Sequence, residues 1–132
     1  IGMNLDNGDS LTAFQLRRAD GSAVWTGGSV RRSADGSDTL GARSARPGEV
    51  RFEPRRYWTS PLTRARYPVE WAVQSPAGRH TVVALADAQE LDSRASTGTV
   101  YWEGLSALKD EAGRTVGHGY LEMTGYAQRL RL

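Results

Sequence analysis

A chain of 132 residues, 39% apolar and 24% charged, is long enough to bury one core, suits a single domain over residues 1–132, and is too apolar to remain disordered. Its net charge is only +2, with acidic residues interspersed among the basic ones, which argues against nucleic acid as a partner. Cysteine is absent, excluding disulfides, thiolate chemistry and Cys-based metal sites, and the longest apolar run, Val82–Ala86, falls far short of the roughly 20 residues of a membrane-spanning helix.

Taken in chain order, Ile1–Leu5 reads as a strand entered midway, with neither the basic nor the apolar region of a leader, as though a longer polypeptide preceded it. Asp6-Asn7-Gly8 offers the positive φ angles of a tight hairpin turn, and Leu11–Arg18 follows as the next strand. Asp20-Gly21 turns into Ala23–Arg32, so three strands form a meander that Asp35-Gly36 closes. Gly41–Gly48 has no usable period and reads as a loop or an irregular edge. Strand character returns at Glu49–Thr59, where Pro54 cannot donate to a ladder and so predicts a bulge or an edge position. Leu62–Pro68 is a connecting loop; Val69–Gln74 and Arg79–Ala86 make a hairpin about Pro76-Ala77-Gly78. Asp87–Thr97 is polar with room for a helical turn, and Thr99–Leu108 pairs with Thr115–Ala127 as a closing hairpin. About eight or nine antiparallel strands with no long helix predict an all-β barrel, because closure by consecutive hairpins removes exposed edges. Glycines within strands, such as Gly27, Gly28, Gly117 and Gly119, supply the kinks that a strongly curved sheet needs.

Four tryptophans and five tyrosines outnumber two phenylalanines, so most aromatic surface carries a polar handle suited to lining a pocket or to filling a β core. Trp58, Trp71, Tyr101 and Tyr120 are the candidate ligand-binding rings. Strand side chains alternate, which puts Tyr101 and Glu103 on one face of their strand and His118, Tyr120, Glu122, Thr124 and Tyr126 on one face of the last. Pairing of these strands about Glu111–Arg114 brings Glu103 and Glu122 onto neighbouring positions in some registers, and pattern alone does not fix the register; two adjacent carboxylates push one pKa upward, keeping a proton donor near neutral pH. Glu103, Glu122 and His118 are therefore the catalytic candidates. The alternative is that both glutamates face water or pair with arginine, since sixteen of the seventeen basic residues are arginines and Lys109 is the single lysine. His80 and His118 stand apart without the spacing of a metal site, and no serine-hydrolase elbow, P-loop or dinucleotide fingerprint occurs, so no metal or cofactor is predicted.

Five blocks in order, Leu5-Asp6-Asn7-Gly8, Tyr57-Trp58-Thr59-Ser60-Pro61, Tyr67-Pro68-Val69-Glu70-Trp71, Tyr101-Trp102-Glu103-Gly104 and Gly117–Tyr126, resemble the AttH-type, carotenoid 1,2-hydratase-related lipocalin-like family. The resemblance implies a lipocalin-like barrel and a protein normally built from two tandem barrels, of which this chain is similar to the second. It implies an exported bacterial protein, periplasmic or secreted. Members include carotenoid hydratases, kievitone hydratase and fungal pericyclases, which share an apolar substrate while their chemistry differs. Three functions follow as expectations. The barrel binds a small hydrophobic molecule of isoprenoid or polyketide type; or it hydrates or isomerises a carbon–carbon double bond of such a molecule, with Glu103 or Glu122 as acid; or it serves as a structural partner of an N-terminal barrel.

Overall fold

The structure, a computed structural model, describes residues 1–33 and 42–128. Ten strands form one antiparallel sheet: β1 (Gly2–Leu5), β2 (Ser10–Arg17), β3 (Ala23–Arg31), β4 (Arg43–Ser44), β5 (Arg51–Thr59), β6 (Arg66–Ser75), β7 (Gly78–Ala84), β8 (Glu90–Ser93), β9 (Thr99–Lys109) and β10 (Thr115–Thr124). The spatial order is β4-β3-β2-β1-β10-β9-β7-β6-β5, with β8 added on β9. This is the expected all-β, lipocalin-like arrangement. Among the described residues its two ends, β4 and β5, do not pair, so the ring of hydrogen bonds stays open there. No helix of the described residues is long and apolar enough to cross a membrane.

The alternation of apolar residues decides which face turns inward. Leu11 and Ala13 of β2, the run Tyr67, Val69, Trp71 and Val73 of β6, Trp102 of β9, and Leu121 and Met123 of β10 are all buried. Most of them join one continuous core, whose burial at about 25 cal/mol per Å² is the main stabilising term. Trp102 is fully buried and donates its indole N–H to the Asp87 carbonyl at 2.7 Å, which satisfies its one polar atom. Gly117 and Gly119 let β1 lie close against β10. A Cβ on Gly117 would stand 2.6 Å from the Asn4 carbonyl oxygen, and one on Gly119 would collide with the Gly2 carbonyl.

The hairpin turns form where the Asp-Gly and Asn-Gly signals sit, with Gly8 at φ 92° and Gly21 at φ 88°. Pro54 satisfies both of its expectations, since β5 ends the sheet and its register shifts between Pro54 and Arg56. Three segments differ in detail from the sequence reading. Glu90–Ser93 pairs with β9 as a short strand, and the expected helical turn follows it, with the Ser96 and Thr97 amides donating to the Ser93 carbonyl; Arg43–Ser44 joins β3 as a two-residue strand at the sheet's end, an irregular edge with a specific partner; and β6 begins at Arg66, inside the expected loop. The Asp35-Gly36 turn lies outside the described residues.

Candidate functional site

Strand β2 lies towards one end of the strand order and β5–β6 form the other, yet their inner faces meet across the interior. Between them is a cleft of about 170 Å³ lined by Gln15 and Arg17 from β2, Phe52 and Tyr57 from β5, Trp71 from β6, and Tyr126 just beyond β10. Tyr126 reaches it because β10 stops at Thr124 and Gly125 takes the left-handed conformation at φ 86°. That turn removes Tyr126 from the outer face it would share with Tyr120 and Glu122 if the strand ran on. The Arg17 guanidinium carbon then stands 3.5 Å from the centroid of the Tyr126 ring, within cation–π range. Burial raises the Tyr126 phenol above its ordinary pKa, against the opposing pull of Arg17. Phe52 packs edge-on against Trp71, with centroids 5.8 Å apart and planes at 89°. Trp71 is only 6% exposed, and its indole N–H has no acceptor among the described residues, an uncommon state for a buried donor.

Behind the cleft, Tyr67 stacks on Trp58 at 6.2 Å and meets Tyr126 at 5.6 Å. Its hydroxyl donates to Glu90 at 2.8 Å, while Ser60 and Thr63 each donate to the same carboxylate at 2.6 Å. Burial works to raise the Glu90 pKa, but the three hydroxyl bonds outweigh it and hold the carboxyl below its usual range. Tyr67 is pushed well above the ordinary phenol value by burial first, then by its bond to Glu90. The network fixes the aromatic wall and ties β8 to the chain entering β6.

The sequence-predicted residues fall on two sides of the sheet. Trp58 and Trp71 are on the inner side, and Trp71 lines the cleft. Tyr101, Glu103, His118, Tyr120 and Glu122 belong to the outer rows of β9 and β10, where Tyr120 is 50% exposed and Glu103, His118 and Glu122 are exposed. Glu103 and Glu122 are direct cross-strand partners, and His118 stands opposite Ala107. The register left open by the sequence makes the two glutamates direct partners, on the side of the sheet away from the packed core. Among the described residues no three metal-ligating side chains come together. Gln15, Arg17, Phe52 and Tyr57 are not site candidates from sequence, and alternation puts Tyr126 on the face of Tyr120 and Glu122, not in the cleft; Gly125 is the one visible signal, since a glycine at a strand end permits the turn that redirects Tyr126.

A second concavity, about 440 Å³, lies on the outer surface of β2 and β3 and is broad and open. Phe14 and Trp25 meet there edge-on at 5.0 Å, and Trp25 is 59% exposed, with Leu16 and Val24 also exposed.

The sequence profile of the AttH-like family matches residues 1–126. The chain belongs to the AttH-like family. A solved structure of a Nitrosomonas europaea protein assigned to AttH is 41% identical to this AttH-like chain and superposes over 96% of it with a TM-score of 0.84. The match covers 37% of that protein, so the chain spans little more than a third of this AttH-like relative. No curated protein matches it.

Proposed function

We propose that the chain holds a small apolar molecule in the cleft between β2 and β5–β6. The observation that carries this reading is a concave wall of four aromatic rings and two prolines in which a buried indole N–H lacks an acceptor among the described residues, since ligand sites combine apolar walls with a few convergent polar groups. A volume of about 170 Å³ suits one ring or a branched five-carbon unit; roughly 150 Å³ of dry cavity accommodates benzene. A longer isoprenoid or polyketide guest enters by one end. Trp71 is the reporter. Titrating polyenes, fatty acids and flavonoids should give saturable quenching for at least one class, diminished in Trp71→Phe; no saturable response from any class would defeat the reading.

The exposed Phe14–Trp25 surface favours a second role, contact with a preceding lipocalin-like unit of a longer polypeptide. Monomers seldom leave an apolar patch of this kind bare, and the Nitrosomonas europaea chain extends well beyond the matched region. In a polypeptide carrying such a unit ahead of Ile1, Trp25 should be shielded from acrylamide. Equal quenching of Trp25 with and without that unit would exclude this contact.

A further inference from the structure

Resting on the cleft being a ligand site, we propose that its ligand carries a carboxylate, held by Arg17, on a flat apolar body of about one ring. Six arginines are engaged in ion pairs among the described residues: Arg32, Arg43, Arg55, Arg56, Arg94 and Arg114. Among the described residues Arg17 has no such partner, and those that line the cleft include no carboxylate. It is half-buried and sits over Tyr126. Stacking on a ring uses the face of a guanidinium, whereas its five N–H donors lie in its plane and stay available to an acceptor.

Two nitrogen donors besides Arg17 belong to the same cleft. The Gln15 amide lines it, and so does Trp71, more than nine-tenths buried and without an acceptor for its N–H. One cation and two further donors, with no anion among them, make a site complementary to negative charge. The walls supply the rest of the selection: Phe52, Tyr57, Trp71 and Tyr126 leave room for a ring and little more. A charge-assisted bond from a guanidinium to a carboxylate is shorter and stronger than a neutral one, and its fork geometry suits bidentate contact. An aromatic or short branched carboxylic acid therefore fits the cleft better than the matching alcohol or hydrocarbon.

The test is calorimetric titration of 3-phenylpropanoate and its neutral counterpart 3-phenylpropanol at pH 7. Wild type should bind the acid at least about tenfold more tightly than the alcohol, as expected for an added charge-assisted bond. Arg17→Gln should remove that preference, so that acid and alcohol bind with equal affinity, and Arg17→Lys should keep part of it. A circular dichroism spectrum like that of wild type establishes that each variant is folded. Equal wild-type affinities for acid and alcohol, or an acid affinity indifferent to Arg17→Gln, would overturn the carboxylate assignment and leave the cleft as a neutral apolar site. Binding of neither molecule would overturn the assignment and the ligand-site reading together.

Discussion

Tyr67 joins two kinds of interaction that are usually separate. Its ring supports Trp58 and Tyr126, while its hydroxyl completes a three-donor shell around Glu90. Removing the oxygen alone leaves a part-buried carboxylate short of one of three donors, a loss of at most about 1.5–3 kcal/mol for a bond to a charged group in such a half-exposed place. Tyr67→Phe should show that loss in urea unfolding at pH 7. Because the folded Glu90 pKa lies below its ordinary value of 4.5, the stabilisation is present above about pH 4.5 and disappears as pH falls through the folded value. The difference between Tyr67→Phe and wild type should therefore shrink in acid. His80 has the opposite chemistry. Its Nδ1 is buried without a partner, and burial lowers its pKa from 6.5 despite the nearby Asp110 and Glu111. Below pH 6.5 the unfolded chain binds a proton that the folded one resists, so stability should fall there as the solution is acidified. A His80→Gln variant should lose that part of the slope; an unchanged slope in the variant would assign it to other groups.

Strands were legible wherever a turn residue with special backbone freedom met an alternating run, as at Asp6-Asn7-Gly8 before β2 or Asp20-Gly21 before β3. β4 and β8 were not, because strands of two and four residues carry too few alternations to show a period, and their pairing is decided by the long neighbours they border. The closing hairpin shows how far local pattern reaches. Its alternation allowed Glu103 and Glu122 to meet without fixing the register, and the register that forms makes them direct partners. The same pattern placed Tyr126 wrongly, because alternation ends where Gly125 adopts positive φ. Arg17 escaped notice for a related reason: one arginine among sixteen has no local mark, and its position over Tyr126 arises from contacts between distant segments. The acidic pair itself makes a prediction at this scale. Like charges directly opposed across an antiparallel pair are destabilising by about 0.2–1 kcal/mol, so Glu103→Gln should raise the unfolding midpoint slightly. Since both side chains lie on the outer rows, it should leave cleft binding unaltered; a change in 3-phenylpropanoate affinity would connect the two faces.

At the scale of the whole molecule, β2 presents two separate surfaces. Leu16 belongs to the exposed outer surface with Phe14 and Trp25, while Arg17, its neighbour in sequence, lines the interior cleft. A register shift falls between them, so the strand changes its pairing where its role changes. Alternation thus separates a surface suited to another protein unit from one suited to a small molecule without requiring a second domain to carry either. The separation has a measurable consequence. Substitutions that share no partner add in free energy to within a few tenths of a kcal/mol, so Leu16→Ser should weaken contact with a preceding unit while leaving acid binding intact, and Arg17→Gln should do the reverse. The double variant should show both losses at their single-variant sizes, by calorimetry for the ligand and acrylamide quenching of Trp25 for the interface. Non-additive losses would mean that β2 shifts as a body when either face is occupied, making ligand binding and domain contact two readouts of one equilibrium.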